Sequence, residues 1–133
     1  MAIPDASWGA SQGGVSGSAA SATADTVGML NWTTSAIKGH VAAGSYVSDE
    51  LKTECATKGG AAAAMASAVA SFSAALAEAS DETLNSSVMA PWQMETPLFM
   101  LAQIAVSHVW YHDGQLNYIQ AILGDPAVHW MDE

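Results

Sequence analysis

The chain has 133 residues, half of them hydrophobic, with three lysines, no arginine and thirteen acids, for a net charge of −10. That length suits one domain with a single core, and the missing basic footprint argues against nucleic acid or an anionic membrane as partner. One cysteine rules out an internal disulfide. No basic-then-apolar leader is visible, and no stretch reads as the roughly 20 apolar residues that cross a bilayer, so a cytoplasmic protein is expected. The charge is uneven: residues 59–133 hold eight acids and no base.

Residues 1–28 are rich in Gly, Ser and Ala. They read as a weak helix from about 14 to 29 or as a loose arm, since Gly13, Gly14 and Gly17 each cost a helix interior about 1 kcal/mol. Residues 33–55 read as a helix capped by Thr33 or Thr34. Its inward stripe is Ile37, His40, Val41, Gly44, Val47 and Leu51, at spacings of three and four, and Gly59-Gly60 stops it. A third helix spans 60–79 with mostly small side chains, and a loop runs from 80 to 96. The last helix has the clearest ends: Thr96 as N-cap, Pro97 in the first turn, Gly124 just past the end and Pro126 beyond. Leu101, Ile104, His108, His112, Leu116, Ile119 and Leu123 form its stripe. These elements predict an all-α fold, a four-helix bundle.

His108 and His112 are one turn apart and share a helix face. Two imidazoles so placed can reach one metal ion, and His40, on another inward stripe, offers a third. Three histidines leave a coordination position open, as catalytic sites do. Burying them without a common ion would desolvate three imidazoles separately. The zincin pattern is absent, because Val109, Trp110 and Tyr111 fill the gap where a general base would stand. Gln115, three residues after His112, is placed to hold a ligand or orient a histidine. Tyr111 and Tyr118 share a face suited to a dimer contact or to intrachain packing. Lys38 is the cation nearest His40 in sequence. Cys55 reads as buried filler, and His129 as a surface residue of the tail.

The string His108-x-x-x-His112-x-Gly114-Gln115 resembles the C-terminal signature of the DinB/YfiT-like proteins. Trp32-Thr33, with His40 eight residues after the tryptophan, is similar to that family's Trp-Ser/Thr helix start and first histidine, and Tyr118-Ile119-x-x-Ile122-Leu123-Gly124 to its helix end. The resemblance covers about residues 30–60 and 95–125. It implies one DinB-like domain over 1–133, with up-down-down-up topology, commonly a homodimer. It implies a divalent ion, usually zinc or nickel, on His40, His108 and His112. It also implies a small-molecule substrate and S-transfer from a low-molecular-weight thiol such as bacillithiol or mycothiol. Metal-dependent hydrolysis and a non-enzymatic metal-binding or ligand-binding bundle are the alternatives.

Overall fold

The computed structural model describes residues 3–40 and 45–129. The described chain is mainly helical. In order it forms α1 (Asp5–Trp8), α2 (Ala19–Ile37), α3 (Asp49–Glu54), α4 (Lys58–Glu78), α5 (Asp81–Asn85), the strands β1 (Ser87–Met89) and β2 (Glu95–Pro97), and α6 (Leu98–Ile122).

α2 is the central element and packs against both α4 and α6. Fourteen of its nineteen residues are buried. It begins where the glycines end: Ser18 caps it, accepting from the Ser21 backbone N–H. It ends before Gly39, whose φ of +79° is the left-handed conformation that glycine adopts freely and that closes a helix. The helix expected over 33–55 is therefore not one element. Its first five residues finish α2, and only Asp49–Glu54 reappears as α3, capped by Ser48. Val41 and Gly44 of its expected stripe lie outside the described residues. Thr33 and Thr34 are buried inside α2 and cap nothing; the Thr34 hydroxyl donates to the Leu30 carbonyl at 2.8 Å. Thr23 and Thr26 bond the preceding turn in the same way, which satisfies a hydroxyl inside a helix.

Gly59 and Gly60 do not stop a helix but open α4, after the Thr57 cap. A Cβ at Gly60 would collide with the Glu54 carbonyl, so glycine permits the tight α3-to-α4 corner. α4 also departs from the expectation that no stretch could cross a bilayer: its 21 residues are long and apolar enough by length and composition. Only 28% of its most apolar stretch is buried, and Ala62, Ala63, Ala66, Val69 and Ala70 face outward.

The expected loop over 80–96 holds α5 and an antiparallel hairpin pairing Val88 with Thr96. Thr96 belongs to this hairpin, so Pro97 is the N-cap of α6. At the other end Gly124 has φ +95°, the left-handed terminator expected there. The core gathers Ile3, Trp8, Val27, Leu30, Phe72, Leu98 and Leu101 from α2, α4, α6 and the N-terminal segment. That segment is pinned twice. The Trp8 indole donates to the Cys55 carbonyl at 2.9 Å, and the Lys58 amine to the Ile3 carbonyl at 2.8 Å. Among the described residues there are three long helices, α2, α4 and α6.

Candidate metal centre

α6 carries His108 and His112 one turn apart on the side facing α2. Directly across stands Asp25, the one charged residue of α2. His108 Nε2 lies 3.1 Å from Asp25 Oδ2 and His112 Nε2 lies 2.9 Å from the same oxygen. The two Nε2 atoms are 3.1 Å apart. Three ligand-type atoms thus form a small triangle at the crossing of two long helices. Their side chains are 9% (His112), 19% (His108) and 33% (Asp25) exposed, so the triangle is sheltered but open on the carboxylate side.

The surroundings hold each member in place. His112 Nδ1 is 2.7 Å from Gln115 Oε1. A carbonyl oxygen only accepts, so in this orientation Nδ1 carries the proton and the neutral ring turns a bare Nε2 lone pair toward Asp25 and His108. Gln115 Nε2 donates in turn to the Tyr111 hydroxyl at 3.1 Å. The Tyr111 ring stands edge-on to His112, with centroids 5.0 Å apart. On the other flank Tyr46 donates its hydroxyl to Asp25. Burial, then this bond and the carboxylate's charge, push its pKa up to about 12, which keeps it a donor. Gly28 makes that contact possible, because a Cβ there would run into the Tyr46 carbonyl. Burial is the main cause that holds His108 below the ordinary imidazole value, with the neighbouring His112 adding to it against the pull of Asp25. A neutral imidazole is the form that binds metal.

The spacing fits a cation. Ligands about 2.1 Å from one ion sit about 3.0 Å apart at right angles and about 3.4 Å apart in a tetrahedron. The observed 2.9–3.1 Å triangle is compact enough for all three atoms to reach one ion. Two histidines and one carboxylate on one face, with the other positions open, is a recurrent catalytic donor set. With the neutral His112 ring, a cation or a second ring proton satisfies the Nε2 and Asp25 oxygen that face each other at 2.9 Å.

The sequence-derived set is thus only partly brought together. His40 is exposed beyond the end of α2. From Asp25 to Ile37 alone, α2 climbs about 18 Å at 1.5 Å per residue, so His40 does not join His108 and His112. Gly39 ends the helix before His40 could be carried inward. Lys38, the C-cap of α2, is exposed at that same remote end. Asp25 lies in the segment that reads as a weak helix from about 14 to 29 or a loose arm, where no inward stripe points to it. Its signal was available: it is the only charged residue between Asp5 and Lys38. Cys55 is fully buried, and burial pushes its thiol up, away from reactivity. His129 pairs with Asp125 at 2.9 Å outside the site.

Beside the triad opens a cleft of about 960 Å³, bounded by the N-terminal end of α2 with its preceding Gly/Ser segment and by α6 from Tyr111 to Ile122. Compared with models of protein families, with curated proteins and with solved structures, the chain has no match.

Proposed function

We propose that the chain is a divalent-metal-dependent enzyme of the DinB type, a helical bundle whose metal ligands are Asp25, His108 and His112. The observation that carries this reading is the triangle of one carboxylate oxygen and two imidazole nitrogens at the wall of an open cleft. Zinc and nickel are the ions in view. A bound divalent ion supplies Lewis acidity, which lowers the pKa of a thiol or a water. Gln115 fixes the proton of His112 on Nδ1, Tyr46 orients the Asp25 carboxylate, and Tyr111 braces Gln115.

The reaction favoured is S-transfer from a low-molecular-weight thiol. Among the described residues Asp25 and His112 are the only carboxylate and imidazole lining the cleft, and both are assigned as ligands, so none of these residues is left as a separate general base. A thiol, with an ordinary pKa near about 8.5, needs less help to ionise than water does. Elemental analysis of untagged protein, purified without added metal, tests the centre. About one equivalent is expected in the parent and little in His112→Ala. Protein that stays metal-free after soaking with nickel or zinc would end the proposal. Loaded protein is then assayed for joining 1-chloro-2,4-dinitrobenzene to a panel of thiols. Turnover of esters without thiol would instead identify a hydrolase, and metal without turnover a binding protein.

A further inference from the structure

The cleft differs from its surroundings in charge. The chain carries −10, yet among the described residues the cleft is lined by one acid, Asp25, and one cation, Lys52. The Lys52 amine is engaged by Asp49 Oδ1 at 2.8 Å. Two serine hydroxyls of the cleft spend their protons locally. Ser21 Oγ donates to the Ser18 carbonyl at 2.9 Å and Ser16 Oγ to the Gly13 carbonyl at 2.8 Å. At these two serines that wall presents oxygen lone pairs, which receive N–H or O–H groups. The opposite wall is α6, where Tyr118, Ile119 and Ile122 continue past His112. From His112 to Ile122 it extends about 15 Å at 1.5 Å per residue. Tyr118 is 69% and Ile122 49% exposed, a large apolar surface beside a metal centre.

We infer that this cleft selects ligands with an uncharged, apolar body, held at the metal end by a single donor atom and lying along Tyr118 and Ile122. The inference rests on the metal reading above. With neutral imidazoles, Asp25 leaves a divalent ion one net positive charge, which one anionic donor cancels. A further anionic group would find no uncommitted side-chain cation in the cleft and would meet the field of an acidic chain. An apolar body gains from leaving water against Tyr118 and Ile122.

The test uses the full chain loaded with Co(II), whose visible absorption reports a thiolate binding at the ion. The probes are 4-methylbenzyl mercaptan and its carboxylated analogue, 4-(mercaptomethyl)benzoate. The neutral thiol is expected to bind about tenfold or more tightly than the carboxylate, and Tyr118→Ala and Ile122→Ala to weaken it about fivefold each with cobalt content unchanged. Equal or tighter binding of the carboxylate, no binding of either probe to cobalt-loaded protein, or an unchanged affinity in both variants would overturn the inference. Cobalt is measured in the same samples, so failure of the metal centre is seen separately. In that event calorimetry of the metal-free chain with 4-methylbenzyl alcohol and 4-(hydroxymethyl)benzoate decides: preference for the alcohol supports the cleft assignment, and no preference overturns it.

Discussion

Asp25→Asn is expected to release the metal, while His40→Ala leaves it bound. Asparagine keeps the size of the side chain and removes the one negative charge among the three ligands. Structural zinc sites bind with about 10–16 kcal/mol shared among four ligands. The loss of one ligand therefore weakens binding by about 100-fold or more. Asp25 is one-third exposed and its carboxylate is not part of the core, so the variant should fold and the loss should read as affinity alone. His40 is exposed past the end of α2, and its removal is expected to change affinity less than about twofold. Competition for Ni(II) against a chromophoric chelator measures both. The two ligand sets make opposite predictions: a metal lost from His40→Ala and kept by Asp25→Asn would return the site to three histidines.

Trp8→Ala is expected to cause the largest loss of stability of any single truncation. Trp8 is 1% exposed although it lies in a four-residue helix near the start of the chain. Its ring fills the core and its indole N–H satisfies the Cys55 carbonyl at 2.9 Å. Truncating a buried tryptophan costs about 3–5 kcal/mol, and an orphaned buried carbonyl adds about 1 kcal/mol or more. Domains of this size hold about 5–15 kcal/mol in total, so the variant should sit close to its unfolding threshold. Urea unfolding checks this, with Val15→Ala, at a fully exposed residue, as the unchanged control. Trp8→Phe should recover part of the loss, because it refills much of the ring's volume but leaves a smaller cavity and the Cys55 carbonyl without its donor. A loss below about 1 kcal/mol for Trp8→Ala would show that the N-terminal segment is not part of the cooperative core.

The ends of α6 were the most legible feature, because Pro97 and Gly124 act through backbone geometry that no distant contact overrides. α4 was legible as an uninterrupted run of small and apolar residues, expected over 60–79 and found over Lys58–Glu78, with Gly59 and Gly60 inside its first turn. α2 was misread at both ends for one physical reason: apolar spacing was followed across Gly39, and glycine content was weighed over burial before it. Small residues make α2 weak in isolation but let α4 and α6 approach it closely, so packing decides where propensity does not. The histidine pair was readable because one turn of helix places both rings on one face. Their carboxylate partner lies 83 residues away from His108. Such pairing is set by which helices pack, and periodicity holds no record of it. Gln115 was readable for the same local reason as the pair, three residues from His112.

The three lysines have a consequence for how the chain can be cut. Lys38, Lys52 and Lys58 all fall between the end of α2 and the first residue of α4. Trypsin, which cleaves after Lys and Arg, can therefore open the chain only within that short window. Cleavage there leaves Asp25 on a fragment ending at Lys38, and His108 and His112 on one beginning at Gly59. The proposed ion would bridge these two pieces, turning a nicked chain into a complementing pair that a chelator separates.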